Sequence, residues 1–235
     1  MEMQPSVFAT LIDIFLEPKK ALGDIRGHTG WLWYPLLITI GSSVLVFAWY
    51  YGTADWDVIQ QQTMDFLASR HYGHEQLEQI RNGLSRTRMV LQTCIGISIV
   101  SILIYLTQAL YLFFVSKIAG YQVQGFGDWF SFTSWTYFPS AIGNIAFAIT
   151  YAIAGKQATL PSLDVSSINT LLFHLPIDSA WYGLVSSLRL SLFWSLGLMT
   201  IGFMQWTGRN LSKSIVIVLA PYVLIYGIWA LLKII

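Results

Sequence analysis

Residues 88–117 read RMVLQTCIGISIVSILIYLTQALYLFFVSK and carry no charged side chain between Arg88 and Lys117. A helix needs about 20 consecutive apolar residues to cross roughly 30 Å of hydrocarbon. The stretch is long enough, and in lipid only a helix or a closed barrel pairs every backbone amide. We therefore predict that it crosses a bilayer as an α-helix.

Four further stretches share this character, so the sequence predicts an all-α, multi-pass membrane protein with five transmembrane helices. The spans lie at about 31–51, 89–115, 129–154, 190–207 and 214–232, within a transmembrane domain of residues 31–235. Trp31, Tyr51, Trp129 and Trp206 stand near span ends, where amphipathic rings favour the headgroup level. Only a few residues separate the last two spans, which predicts an antiparallel hairpin.

The composition indicates that lipid surrounds the chain and is its first partner. Of the 235 residues, 55% are hydrophobic and 11% are charged, whereas a soluble domain carries about 25% charged residues. The net charge of +1 predicts no nucleic-acid partner, because such a partner requires a surplus of basic residues.

Residues 1–30 are predicted to form an amphipathic segment at the membrane interface. An apolar face of helical periodicity contains Val7, Leu11 and Phe15, and it ends at Glu17-Pro18. Pro18 can begin a second short helix, from which Lys19 and Lys20 extend towards lipid headgroups. Packing of the first helix against the bundle is the alternative interpretation, and the two are compatible.

Two connecting segments also have helical periodicity, which predicts short helices outside the membrane. In the polar loop of residues 55–88, apolar residues repeat at Leu77, Ile80 and Leu84. Between the third and fourth spans, a one-sided helix is predicted from Ile168 until Pro176 stops it.

Polar residues inside the spans, together with the arginine that opens the fourth span, are the candidate functional positions, because hydrocarbon makes polar groups costly unless they have partners. These positions are Gln92, Gln108, Ser140, Asn144, Arg189 and Gln205. The structural interpretation is interhelical hydrogen bonding for the amides and interfacial extension for Arg189. A transport pathway would instead require several of them to meet in one cavity. Small residues four apart, including Ser140 and Asn144, predict a packing face.

The sequence predicts no catalytic residue, no metal site and no cofactor. His71, His74 and Glu75 form H-x-x-H-E, but metalloproteases use H-E-x-x-H and no third ligand is evident. Spans two to five contain no acidic residue or histidine, so general acid–base chemistry has little to work with there. We therefore do not expect an enzyme.

Three stretches carry a resemblance to a known family: IDIFLEPKKALGDIRGHTGWLWYPLLI (12–38), KIAGYQVQGFGDWFSFTSWTYFPSAI (117–142) and WSLGLMTIGFMQWTGRNLSKSIVIVLAPYVLI (194–225). In order and spacing they resemble the Ypt-interacting protein (Yip) family, and its bacterial branch in particular. The resemblance implies five spans, a cytoplasmic N-terminus and residence in a bacterial cytoplasmic (inner) membrane. Eukaryotic members bind Rab-type small GTPases, and they carry a long cytosolic N-terminal region and an Asp-Leu-x-Gly-Pro motif leading into the membrane. This sequence has neither feature, so we do not expect it to bind a small GTPase.

The function predicted from the sequence is a non-enzymatic membrane scaffold. Its helices would associate with themselves in a homo-oligomer, or with other membrane proteins in a hetero-oligomer, and would organise the bilayer locally. The alternative is a small-molecule or lipid transporter, or a scramblase, with a polar cavity near Asn144, Gln92 or Gln108.

Overall fold

The computed structural model describes residues 6–70, 72–121 and 125–234, and these residues form helices and contain no β-sheet. The α-helices are α1 (Val7–Leu16), α2 (Pro18–Asp24), α3 (Trp33–Thr53), α4 (Trp56–Ala68), α5 (His74–Gly83), α6 (Arg86–Ile118), α7 (Phe126–Thr136), α8 (Ser140–Ala154), α9 (Leu160–Leu163), α10 (Tyr182–Ser187), α11 (Leu190–Thr207) and α12 (Leu211–Ile234). A 3-10 turn, Thr29–Leu32, precedes α3, and a π-helical turn, Asn169–Phe173, follows α9. The predicted all-α class is confirmed.

Four segments of the described chain are long and apolar enough to cross a membrane: Thr29–Thr53, Arg86–Ile118, Phe126–Ala154 and Leu211–Ile234. They contain predicted spans one, two, three and five, which confirms a multi-pass membrane protein. The fourth predicted span is the 18-residue helix α11, which is not among the four. Polar residues, including Ser195 and Thr200, are among the buried residues of this helix. The count of five therefore stays a prediction.

The chain divides into two compact units, which are considered separately below. The first unit comprises Met1–Ile40, Val100–Ala141 and Ser191–Ile228. The second unit comprises Gly41–Ile99, Ile142–Leu190 and Trp229–Ile235.

In the first unit, α1 and α2 form as the N-terminal periodicity predicts, with Pro18 in the first turn of α2. Ile14 and Leu22 are fully buried, and the indole nitrogen of Trp206 donates to the Leu22 carbonyl at 2.8 Å. The segment thus packs against other helices, as one interpretation held. An exposed apolar edge remains at Phe8, Ile12 and Leu16, so an interfacial position stays a prediction.

The two predicted interfacial lysines differ in their contacts. Lys19 is exposed. The Lys20 ammonium donates to the Asp13 carboxylate at 2.7 Å, and this hydrogen bond raises the pKa of Lys20. Lys20 therefore links α2 to α1, and contact of either lysine with a lipid headgroup remains a prediction.

Aromatic side chains fill the core of the first unit. Phe132 is fully buried, with its ring centroid 4.9 Å from that of Trp206. Trp129 lies 5.4 Å from the same Trp206 ring. Gly202 of α11 faces this cluster, where a side chain would collide with the Phe132 ring. The small residue at 202 therefore permits close packing of α11 against this cluster.

Prolines interrupt two of the membrane helices in different ways. Pro139 lies in the turn between α7 and α8, so the third span is two helical pieces. Pro221 lies inside α12 and has no N–H to donate to the carbonyl of Ile217. The hydroxyl of Tyr111 donates to that carbonyl at 2.7 Å. A carbonyl that would be costly in hydrocarbon without a donor is thereby satisfied.

In the second unit, the polar loop folds into α4 and α5, which agrees with its predicted helical character. The predicted helix from Ile168 to Pro176 is only the five-residue π-helical turn. The Asn169 side chain accepts from the Leu175 amide at 2.9 Å and donates to the Leu175 carbonyl at 3.1 Å. These bonds close the segment into a turn, and His174 takes a left-handed conformation there with φ 52°.

Candidate functional site

The six candidate polar positions are divided between the two units. Gln108, Ser140 and Gln205 belong to the first unit, and Gln92, Asn144 and Arg189 belong to the second. Gln92 and Gln205 are exposed. The Ser140 hydroxyl donates to the Tyr137 carbonyl at 2.6 Å, beside the break at Pro139.

Asn144 makes interhelical hydrogen bonds within the second unit. Its side-chain amide donates to the hydroxyl oxygens of Ser42 at 2.9 Å and Ser43 at 2.8 Å. These bonds join α8 to α3. Polar side chains in membrane helices commonly serve this purpose, so the contacts favour the structural interpretation of Asn144.

Gln108 lies beside a groove of about 280 Å³ in the first unit. The groove is lined by α6 residues such as Leu103 and Thr107, and by Pro221 and Tyr222 of α12. The Gln108 side chain is only 6% exposed, and its amide nitrogen has no acceptor among the described residues. The Gln108 side chain therefore borders an open, mainly apolar groove, and its amide nitrogen is buried beneath the groove surface without an acceptor.

The tyrosines beside the groove have hydrogen-bonding partners of their own. The hydroxyls of Tyr137 and Tyr222 lie 2.6 Å apart and share a hydrogen bond. Tyr137 also stacks on Tyr105, with ring centroids 4.8 Å apart. Tyr111 is committed to the carbonyl of Ile217. These hydroxyls are engaged, whereas the Gln108 amide nitrogen has no acceptor among the described residues.

A larger cavity of about 460 Å³ lies within the second unit. Its apolar wall includes Phe47, Met89 and Phe147, which stand on helices that the sequence predicts to span the membrane. Its polar wall includes Asp164, Ser167, Thr170, Tyr182, Ser186 and Arg189. The volume falls within the roughly 300–1,000 Å³ typical of small-ligand sites, and the two walls make the cavity amphipathic.

An ion pair stands at the polar wall. The Arg189 guanidinium contacts one carboxylate oxygen of Asp164 twice, from Nε at 3.0 Å and from Nη2 at 2.8 Å. The Arg189 side chain is 53% exposed and the Asp164 side chain 20% exposed. One edge of the guanidinium is thus committed to Asp164, while a large part of the arginine remains accessible to a ligand. The ion pair with Asp164 gives Arg189 a structural role in addition to the interfacial extension that the sequence predicts.

Backbone pairing holds the two charged residues together. The amide of Ile168 donates to the carbonyl of Leu188 at 2.7 Å, and the amide of Leu190 donates to the carbonyl of Ser166 at 3.0 Å. The short antiparallel bridge fixes the segments that carry Asp164 and Arg189. Burial is the main cause that raises the pKa of the neighbouring Tyr182 hydroxyl, while the charges of Asp164 and Arg189 act on it in opposite directions. As a neutral phenol, this hydroxyl can donate a hydrogen bond.

The helix ends around the cavity are joined by hydrogen bonds from residues distant in sequence. The Arg86 guanidinium donates to the carbonyls of Tyr51 and Ala54, each at 2.9 Å, at the C-terminal end of α3. Gln62 of α4 donates to the Tyr50 hydroxyl at 3.1 Å and accepts from the Leu160 amide at 2.8 Å. Local sequence patterns gave no indication of these contacts.

The described residues contain no group of three histidine, cysteine, aspartate or glutamate side chains that could hold a metal ion. His71, the first member of the H-x-x-H-E pattern, lies outside the described residues. The His74 ring nitrogen lies 3.8 Å from a Glu78 carboxylate oxygen on the exposed surface of α5. The absence of a metal site therefore stays a prediction.

Comparison with protein families found that a model of the Yip1 domain matches residues 12–232. The match covers most of both units, including every candidate polar position. No curated protein and no solved structure matches the chain.

Proposed function

Because the chain belongs to the Yip1 domain family, we propose that it is a non-enzymatic integral membrane protein that organises the bilayer through association. In this proposal, its helices bind those of a second copy or of another membrane protein. The family match and the apolar helices support the membrane assignment. Helix association goes beyond this assignment, and the environment of Gln108 supports it.

The observation that carries this proposal is the unsatisfied Gln108 amide. Hydrocarbon supplies no hydrogen-bond acceptor, so such a donor costs several kcal/mol when it has no partner. The amide borders a groove whose edges include the exposed side chains of Leu103, Ile104 and Ile225. A helix lying in this groove would make apolar contacts with its edges, and rotation of the buried Gln108 amide towards the groove would let the amide donate to an acceptor on that helix. We infer that a partner helix occupies the groove.

Glycines in the second unit give secondary support. Gly96 of α6 and Gly143 of α8 have no atom within 4 Å of the place where a Cβ would stand. Small residues let helix backbones approach closely in lipid. These positions therefore offer accessible helix surface on which a further contact can form.

Site-specific photo-crosslinking in native membranes tests the proposal. A photo-reactive side chain replaces Leu103 at the edge of the groove, and adducts are identified by mass. We expect a discrete adduct, either of twice the chain's mass or with one other membrane protein. Adding Gln108→Leu, which removes the donor and keeps similar bulk, should reduce the adduct severalfold.

Gln92→Leu is the matched control, because it changes an exposed glutamine on the same helix. Its adduct yield should equal that of the unchanged chain. A reactive group at Leu103 that labels only lipid would contradict the proposal, as would equal losses from the two substitutions.

A transporter or scramblase has less support than association. That function requires several intramembrane polar groups to line one path, whereas Asn144 is engaged by serines within the second unit and Gln92 is exposed. Flux of a fluorescent lipid across vesicles containing the purified chain would distinguish the two functions. The association proposal expects no flux above that of empty vesicles.

We also propose a bacterial inner-membrane location with the N-terminus in the cytoplasm, an assignment that rests on the sequence resemblance. Reporter enzymes fused to each terminus test it. A reporter active only in the cytoplasm should work at the N-terminus. The same reporter should fail at the C-terminus, because five spans place the two ends on opposite sides.

A further inference from the structure

We propose that the cavity of the second unit binds a zwitterionic phospholipid, with the phosphate on Arg189, the ammonium on Asp164 and an acyl chain against the apolar wall. This binding site is separate from the Gln108 groove, which lies in the first unit. A lipid that occupied it would be a structural ligand, independent of whether helices associate.

The position of the cavity suits an amphiphile from the bilayer. Phe47 lies near the C-terminal end of α3, Met89 near the N-terminal end of α6 and Phe147 in the middle of α8. Arg86 joins the first two helix ends by donating to the carbonyl of Tyr51. Lys156, just after α8, accepts at its carbonyl from the Asp55 amide at 2.9 Å. All three spans therefore end on the same side.

The polar wall comes from segments outside the predicted spans. Asp164 follows α9, Tyr182 begins α10, and Arg189 precedes α11. The cavity consequently extends from side chains on membrane helices to charged side chains of the extramembrane loops. An amphiphile at the interface presents its apolar and polar parts in this same order.

The charges of the polar wall select the head group. Arginine binds phosphate through paired N–H donors, and the accessible half of Arg189 provides them. Asp164 makes the wall electrically neutral, so a purely anionic head would meet a carboxylate beside the arginine. A head that carries both phosphate and ammonium has a partner for each charge. The Tyr182 hydroxyl, which lies in the same wall, adds a donor.

Native mass spectrometry of the purified, delipidated full chain in non-ionic detergent tests the proposal. The chain is titrated with phosphatidylethanolamine or with phosphatidylglycerol of identical acyl chains. We expect phosphatidylethanolamine to bind roughly tenfold more tightly, which corresponds to one charge-assisted contact. Arg189→Gln should weaken this binding by about the same factor.

Two further variants separate recognition from folding. Lys156→Gln removes an exposed cation on the same side of the unit and should leave binding unchanged. Asp164→Asn keeps Arg189 and removes the carboxylate, so it should abolish the preference for phosphatidylethanolamine over phosphatidylglycerol. A change of head-group preference is not expected of a substitution that merely loosens the fold.

Equal binding of both lipids to the unchanged chain would overturn the proposal. So would equal loss of binding in Arg189→Gln and Lys156→Gln. If Arg189→Gln does not fold, the head-group preference of Asp164→Asn decides the question. An unchanged preference for phosphatidylethanolamine refutes the proposed lipid site, and loss of this preference supports it.

Discussion

Substitution of Gly202 by alanine tests the packing of the first unit most sharply. A Cβ at this position would stand 2.9 Å from Cζ of Phe132, closer still to the neighbouring ring carbon Cε2, and 3.3 Å from Cδ1 of Leu22. Real Cβ atoms almost never lie within 3.0 Å of another heavy atom, so something must move. Phe132 cannot move easily, because it is fully buried against Trp206.

The expected magnitude follows from two opposing effects. Forcing an extra methyl into a packed core costs about 1–3 kcal/mol. Replacing glycine by alanine inside a helix returns about 0.5–1 kcal/mol. Gly202→Ala should therefore lower the free energy of unfolding by about 1–2 kcal/mol, since the rigid ring places the collision towards the upper part of that range.

Gly197→Ala is the matched control in the same helix, because no atom lies within 4 Å of its added Cβ. It should raise stability by about 0.5–1 kcal/mol. Tryptophan fluorescence during titration with sodium dodecyl sulfate measures both variants. If the two alanine variants unfold at the same detergent fraction, the close approach of α11 to Phe132 is refuted.

Three further substitutions examine other parts of the structure by the same unfolding assay. Arg86→Gln removes two charge-assisted hydrogen bonds to the end of α3 and should lower the free energy of unfolding by roughly 1.5–3 kcal/mol. Substitution of the exposed Arg88 by glutamine should lower it by under about 0.5 kcal/mol. Equal losses would contradict the role of Arg86. Tyr111→Phe should destabilise the chain by about 1–2 kcal/mol. In a chain that also carries Pro221→Ala it should have little effect, because the restored amide at 221 can donate to the Ile217 carbonyl. Additive costs in this double-mutant cycle would show that Tyr111 does not compensate for the missing amide of Pro221. Burial raises the pKa of the Asp24 carboxyl in the fold, so the stability contributed by this group is present at low pH and is lost as pH rises through the folded pKa. Asp24→Asn should therefore unfold at a slightly higher detergent fraction than the unchanged chain at neutral pH, but not at acid pH. The opposite order would show that this pKa is not raised.

The membrane helices were predictable because hydrocarbon imposes a simple requirement on length and composition. The run ending at Lys117 exceeds what a span needs, and α6 indeed covers Arg86–Ile118. Prediction was weakest where composition is mixed. Helix α11 carries polar residues such as Ser195 and Gln205, and its placement across the bilayer rests on sequence alone.

The candidate site was predictable only in part. Interhelical bonding of Asn144 follows from the cost of an amide in lipid, and the sequence gave that interpretation. The pairing of Asp164 with Arg189 depends on a bridge between distant segments, which no helical period reveals. Likewise the segment around Asn169 has the spacing of a helix, but one side chain closes it into a turn through two backbone bonds.

The free energy of association in a bilayer tests whether Gln108 holds a partner helix in the groove. Energy transfer between donor- and acceptor-labelled chains is recorded while lipid dilutes them in vesicles. If the partner is a second copy, we expect the energy transfer between unchanged chains to fall reversibly as lipid dilutes them. Gln108→Leu should then weaken association by about 0.6–2 kcal/mol, the range for hydrogen bonds between membrane helices, while Gln92→Leu leaves it unchanged. Identical dilution curves for all three chains would contradict the claim that Gln108 holds a second copy in the groove.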